Sequence, residues 1–226
     1  MAIDTYDKLQ AAVADTVNRD DLSADVTSFS PAQIDGAIKR AIAYAEKTIQ
    51  RDLVARGGVK HMEAVKSTLT TAAGVETLTL PEDFLGVRVL AITGDPLCVL
   101  EFVDPNSLFI QYPDAAPGRP QKYTIVGAAT AYLRPVPAGA YPLRLIYTQA
   151  IPALSAVQTH NWLLLQAPDL YIGAAMLELC IYLENDERLP FWKAYYDEKL
   201  NALLGDDKQT RWSAVPTKPT VQVALA

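Results

Sequence analysis

"THNWLLLQAPDLYIGAAMLELCIYLENDERLPFWKAYY", residues 159–196, is the stretch that decides the fold. A polar pair precedes Trp162 and three consecutive leucines, and Pro168 and Asp169 follow soon after. A proline in the first turn with an acid beside it is typical of a helix N-terminus. The helix that follows has two apolar stripes, which predict two buried faces. One stripe is Leu170, Ala174, Leu177 and Ile181, and the other is Tyr171, Ala175, Leu179 and Tyr182.

This region carries more apolar surface than one face of a small helical bundle needs. Trp162 and Leu163 begin an apolar run just before the two-striped helix, and the last helix is rich in aromatic residues. One explanation is a well-filled core within a single chain. The other is a homo-oligomer whose subunits share that surface. The sequence leaves both explanations open.

Length and composition set the class of protein. The chain has 226 residues, half of them apolar, enough for one large domain or two small ones. No stretch reaches the ~18–20 apolar residues of a membrane span, and the N-terminal residues lack the pattern of a secretory signal. We therefore expect synthesis and folding in a cytoplasm, with no membrane partner. Cys98 and Cys180 are expected to be reduced, buried, apolar fillers.

The net charge of −6 is spread along the chain without a basic block. This distribution argues against tight DNA binding through neutralisation of phosphates.

Two helices are predicted in the first 60 residues. The first, in residues 5–21, has Asp4 as its cap, and the second has Ser30 as N-cap, Pro31 at its first position and Gln33 completing a capping box. Gly57 and Gly58 are expected to end the second helix. Their apolar stripes are Tyr6, Leu9, Val13 and Val17 in the first and Ile34, Ile38, Ile42, Ile49 and Leu53 in the second.

From about residue 63 the apolar residues alternate, which predicts β-strands. Residues 64–71 and 75–80 flank Gly74 and predict a hairpin. Asp104 and Pro105 predict a short helix, and residues 113–120 predict a loop. The five other predicted strands are residues 86–92, 96–102, 122–127, 130–135 and 143–148.

The last helix is predicted to have Asp186 as cap, Pro190 in its first turn and Gly205 at its end, with Trp192, Tyr196, Leu200 and Leu203 facing inward. Residues 206–226 then lack helical periodicity and predict an extended arm that docks on a partner. The residues of this predicted arm are Arg211, Trp212, Val215, Pro216, Pro219, Val221 and Val223.

The order helices, strands, helices predicts an α+β fold in which the N- and C-terminal helices form one bundle around a central antiparallel β-rich insert. The expected boundaries are residues 1–62 for the N-terminal helices, 63–158 for the β-rich region, 159–205 for the C-terminal helices and 206–226 for the extended C-terminal arm.

Motifs for catalysis or cofactor binding are missing from the sequence. His61 and His160 lack metal-ligand spacing, and neither cysteine has a partner two residues away. Phosphate-cradling glycine loops and nucleophile elbows are absent as well. The acidic pairs at residues 20–21, 82–83 and 206–207 fit turns or helix ends. We predict no cofactor, no metal and no enzyme activity, although a site assembled from distant loops would leave no motif.

Several segments, in order, resemble the head–tail adaptor (connector) proteins of tailed bacteriophages, especially those with short tails. Residues 5–22 resemble their opening helix, residues 78–90, with "LPEDF" and Arg88, their strand, turn and strand, and residues 122–147 their central hairpin region. The best match lies in the opening stretch, at Asn161-Trp162-Leu163-Leu164, Pro168-Asp169-Leu170-Tyr171, Asn185-Asp186 and Trp192. Each motif is short, but their order and spacing together are specific.

This resemblance implies a structural virion protein at the head–tail interface, made in the cytoplasm of the bacterial host. Adaptors of this kind form a dodecameric ring below the portal, extend the DNA channel and provide the platform for nozzle, fibre or other tail proteins. DNA is expected to pass without specific binding. The resemblance also implies that Asn161 caps a helix, that Trp162 closes the bundle, and that the arm docks on the portal.

Two other functions stay open. One is a different neck or tail-completion protein of the same virion, which would form a ring without contacting the portal. The other is an enzyme whose site is assembled from loops, which would show a convergent polar pocket.

Overall fold

The computed structural model describes residues 2–17, 31–94, 96–183 and 187–211, excluding the side chains of residues 31–35, 210 and 211. The chain divides into two compact units, one comprising Met1–Lys60 with Ile151–Ala226 and the other His61–Ala150. The mixture of helices and antiparallel sheets confirms the predicted α+β class. None of the described helices is long and apolar enough to cross a bilayer.

The described helices are α1 (Tyr6–Val17), α2 (Pro31–Ala55), α3 (Pro105–Gln111), α4 (Trp162–Gln166), α5 (Pro168–Tyr182) and α6 (Leu189–Arg211), with a 3-10 turn at Lys60–Met62. The described strands are β1 (Glu63–Thr70), β2 (Thr77–Thr79), β3 (Phe84–Ile92), β4 (Cys98–Val99), β5 (Glu101–Phe102), β6 (Pro117–Gly118), β7 (Lys122–Val126), β8 (Thr130–Arg134), β9 (Val136–Pro137) and β10 (Pro142–Gln149).

The helical unit is organised around α5, which contacts α1, α2, α4 and α6. Neighbours on several sides explain why this helix is apolar on nearly every side. Its buried residues are Leu170, Tyr171, Gly173, Ala174, Ala175, Met176, Leu179 and Cys180. The intramolecular core therefore covers most of both predicted stripes. The prediction fails toward the end of the helix, where Leu177 is only partly buried and Ile181 and Tyr182 are exposed.

Local signals govern the ends of the first two helices. The predicted stripe of α1 is buried throughout. The cap prediction was wrong: the Thr5 hydroxyl accepts from the Lys8 N–H at 3.5 Å, while Asp4 pairs with the Lys8 ammonium at 2.6 Å. At the end of α2, Gly57 and Gly58 have φ of 95° and 70° and turn the chain as predicted. Ser30 and the side chain of Gln33 lie outside the described part of the chain.

Gly205 does not end the last helix, which continues to Arg211. A single glycine costs only about 1 kcal/mol within a helix, and packing of the flanking residues outweighs that cost. Tyr196, Leu200 and Leu203 are buried before it, and the Asp207 carboxylate after it accepts from the Lys60 N–H at 2.6 Å. Residues 206–211 are therefore helical rather than part of an extended arm. Asp186, the predicted cap, lies outside the described residues.

The β-unit contains two four-stranded sheets, in the orders β1-β10-β3-β4 and β2-β8-β7-β5. Both sheets contribute to one core, which explains their alternating sequences. The buried residues of this core are Leu78, Leu80, Leu90, Ile92, Leu100, Tyr123, Ala131, Leu133, Leu143, Leu145 and Tyr147.

The predicted hairpin around Gly74 was wrong. Gly74 does turn the chain, with φ of 74°. However, β1 pairs with β10 and β2 pairs with β8, in different sheets. Hydrogen bonds of Thr71 to Tyr141 and of Gly74 to Pro137 direct the chain from one sheet to the other. Alternation shows which residues face the core, but it does not identify the partner strand.

Three further expectations about the β-unit require correction. Residues 96–102 form two short strands rather than one, because the buried Leu100 separates β4 from β5. The predicted loop 113–120 contains β6, which pairs with β9. The insert is not wholly antiparallel, since β5–β7 and β6–β9 are parallel pairs. Cys98 is only partly buried, whereas Cys180 is buried as expected, and both are free.

Candidate functional site

A buried polar network connects α4, α5 and α2 inside the helical unit. Asn161 is its first member and has extended backbone geometry, with φ of −139° and ψ of 170°. Its side-chain oxygen accepts from the Leu164 N–H at 2.8 Å, so the predicted helix cap is present. Its amide nitrogen donates to the Pro152 carbonyl and to the Tyr171 hydroxyl, each at 2.8 Å. One buried side chain thus fixes three parts of the chain.

Glu46, on α2, is the other end of this network. Its carboxylate accepts from the Tyr171 hydroxyl at 3.1 Å and from the Leu154 N–H at 2.9 Å. Burial raises the pKa of Glu46, although these hydrogen bonds act in the opposite direction. Burial and the neighbouring Glu46 raise the pKa of Tyr171, which therefore stays a hydrogen-bond donor. The network holds the segment 152–161 against α2 and α5.

A second polar contact joins α2 to α6. The Tyr196 hydroxyl donates to Asp52 at 2.6 Å, and the Arg56 guanidinium donates to Asn201 at 2.7 Å. Burial and then Asp52 raise the pKa of Tyr196. Nearby, a Cβ on Gly173 of α5 would lie 3.0 Å from the Tyr195 ring, so α5 and α6 approach closely at this glycine. These contacts are structural, and they align the long helices.

The other residues singled out from the sequence lie around α5. Leu163 is fully buried, whereas Trp162 and Trp192 are only partly buried. Pro168 is the first residue of α5, as predicted. Asp169 accepts from the Leu170 N–H at 3.0 Å and lies 3.9 Å from the Lys199 ammonium. The closing role assigned to Trp162 stays a prediction.

Exposed aromatic and aliphatic side chains occur where α5 ends and α6 begins. Ile181 is 64% exposed, Tyr182 49% and Phe191 63%. Phe191 packs edge-to-face on Trp192 at 5.2 Å, and the Arg40 guanidinium lies 6.0 Å from the Tyr182 ring. Exposed aromatic residues next to an arginine are typical of protein–protein interfaces.

Of the predicted arm, the structure describes only the backbone of Arg211, the last residue of α6. The remaining arm residues lie outside the described residues: Trp212, Val215, Pro216, Pro219, Val221 and Val223.

An open groove of about 570 Å³ in the β-unit is lined by the "LPED" turn and Lys66. Of the two acids that line it, Asp83 is already engaged, because it accepts from the Tyr147 hydroxyl at 3.0 Å. Burial and Asp83 raise the pKa of Tyr147 to about 12. No cluster of metal-ligating side chains occurs among the residues that the structure describes.

Sequence reasoning missed Glu46 as a member of the buried network. A signal was present: Glu46 lies at helical spacing between Ile42 and Ile49, within the apolar stripe of α2. An acid in such a stripe is buried with polar partners or interrupts the stripe. Which partners it finds depends on segments more than 100 positions away and is not visible in the sequence.

Comparison with known proteins gives one family. A search of curated proteins finds no match. The family model described as "SU10 adaptor protein" matches residues 4–220, nearly the whole chain, and confirms the resemblance to phage head–tail adaptors. The chain therefore belongs to the SU10 adaptor protein family, whose members are phage adaptors.

Proposed function

We propose that this chain forms a ring of twelve subunits below the portal, where it seals the filled head, extends the DNA channel and attaches tail proteins. The observation that carries the proposal is the family match over residues 4–220. A phage adaptor is a structural component of the virion, and it binds other head and tail proteins. The ring, the portal contact and the channel go beyond the family match and are our proposal.

The exposed apolar side chains of the helical unit support an assembly role. Residues of the same chain already cover the buried faces of α5, and Ile181, Tyr182 and Phe191 remain exposed outside that core. Such surface is costly for a protein that works alone and useful for one that assembles. The mildly acidic chain also suits a channel through which DNA slides, since like charges keep phosphates from binding.

We assign the portal contact to residues 212–226, which follow the last residue of α6. Trp212 can bury a large apolar surface, and Pro216 and Pro219 favour an extended chain that loses less entropy on docking. In a ring, docking of one arm raises the effective concentration of the others, so each contact can be weak.

The test is deletion of residues 212–226, which leaves α6 intact. We expect a folded chain with unchanged helical circular dichroism that no longer binds portal in a co-sedimentation assay. A matched control replaces Lys208, an exposed residue of α6, with alanine and should bind portal like the wild type. Equal portal binding by the truncated and full-length chains would refute the arm, while a full-length chain that never binds portal would refute the adaptor role.

A further inference from the structure

The outward face of α2 is basic. Arg40, Tyr44, Lys47 and Arg51 are spaced four, three and four residues apart, so they share one side of the helix. All four are exposed, and Tyr44 is 59% exposed. None of the three cations forms a salt bridge with a described residue, and Arg51 bonds only to Lys47 and Thr48 of its own helix.

The outward face of α1 has the opposite character. Asp7, Ala11, Ala14 and Asp15 are exposed on one side of this helix, opposite its buried stripe. Neither Asp7 nor Asp15 forms a salt bridge with a described residue. The two alanines leave a shallow surface between the acids, which lets another helix approach closely.

The two faces match in charge and in spacing. At a rise of about 1.5 Å per residue, Asp7 and Asp15 are about 12 Å apart along α1, and Arg40 and Lys47 are about 10.5 Å apart along α2. Tyr44 comes between the two cations along α2, at the level where the alanines of α1 would leave room. We propose that α1 of one subunit packs on α2 of the next, through these two faces.

A second copy of this chain is the occupant because both complementary faces are on the same chain. An interface between two different surfaces of identical subunits is heterologous, and repeated heterologous contacts close into a ring when the rotation between neighbours divides a full turn. DNA fits these faces less well, because it would bind only the basic face of α2 and its phosphates would repel the acids of α1. A lone helix pair buries less than the roughly 1,600 Å² of a stable interface, so ring closure must contribute. The inference rests on the proposed ring and assigns its subunit interface.

Charge reversal tests this interface. One variant carries Arg40→Glu and Lys47→Glu, so both of its faces are acidic, and another carries Asp7→Lys and Asp15→Lys, so both are basic. Each should keep the wild-type circular dichroism, because only exposed side chains change. Each alone should associate on the order of 100-fold more weakly than the wild type, because like charges then meet at every contact.

Mixing the two variants gives the decisive result. In the mixture, each acidic-faced subunit finds a basic-faced neighbour on both sides, so we expect rings in which the variants alternate. Native mass spectrometry of the mixture, alone and on the phage's portal, would show equal numbers of both chains in each ring. Raising the salt concentration should weaken wild-type rings more than ten-fold between 50 mM and 500 mM.

The control variant Lys193→Glu with Lys208→Glu reverses two exposed charges of α6 and should assemble like the wild type. Rings formed by either reversed variant alone, or no rings in the mixture of folded variants, would overturn the interface. If the Arg40→Glu, Lys47→Glu variant forms intact rings but no longer binds portal or DNA, the α2 face belongs to that partner and not to a second subunit. A wild-type chain that assembles neither alone nor on portal would instead refute the proposed function.

Discussion

Replacing Asn161 with alanine removes the centre of the buried network. The helix cap on Leu164 is lost, which costs about 1 kcal/mol. The Pro152 carbonyl and the Tyr171 hydroxyl each lose a donor in a buried place, at about 1–3 kcal/mol each. Because these costs overlap, we expect a total loss of about 3–5 kcal/mol in the free energy of unfolding.

A companion variant separates the cap from the rest of the network. Tyr171→Phe removes one hydroxyl but leaves Asn161 bonded to Leu164 and Pro152, and Glu46 bonded to Leu154. Its expected loss is about 1–2 kcal/mol. The double variant should lose less free energy of unfolding than the sum of the two single losses, because both substitutions remove the same Asn161–Tyr171 bond.

Urea unfolding followed by helical circular dichroism measures these losses. A loss of about 3–5 kcal/mol corresponds to a fall of about 6–20 °C in Tm for a protein of this size. A loss below about 1 kcal/mol for Asn161→Ala, or additive losses in the double variant, would refute the network as described.

Three further predictions concern single residues. Because the pKa of Glu46 is raised, its contribution to stability is complete below a pH of about 4.5 and is lost as pH rises through the raised pKa. The stability of Glu46→Gln should therefore rise relative to that of the wild type over this range, as measured by urea midpoints from pH 4 to 8. Gly205→Ala should raise Tm by stabilising α6 by about 0.5–1 kcal/mol, whereas a lower Tm would mean that the helix ends there. Gly173→Val should cost about 2–3 kcal/mol through its clash with Tyr195, and unchanged unfolding would contradict the close packing of α5 and α6.

Features that depend on neighbours in sequence could be predicted. Asn161 and Asp104 cap their helices as expected, the latter by accepting from the Asn106 N–H at 3.0 Å. The stripe of α1 and the glycine stop of α2 followed directly from spacing and from the conformational freedom of glycine. These signals act over about four residues, which is the range that a sequence pattern can show.

Features set by distant segments could not be predicted. The local preference of glycine favours a helix end at Gly205, but packing of the flanking residues lets α6 continue to Arg211. The hairpin predicted at Gly74 was wrong because alternation does not choose a partner, and β1 pairs with a strand about 80 residues away. The network at Glu46 needed both the α2–α5 contact and the Asn161 bond to the Pro152 carbonyl. The charged faces of α1 and α2 became visible only once their buried faces were known.

The most direct test of the adaptor role is electron microscopy of the purified protein mixed with the portal of the phage that encodes it. We expect a ring of twelve subunits stacked on the portal, with its channel continuous with the portal channel. Portal particles that stay bare at concentrations well above those in an infected cell would contradict it, as would rings that form but never attach to the portal.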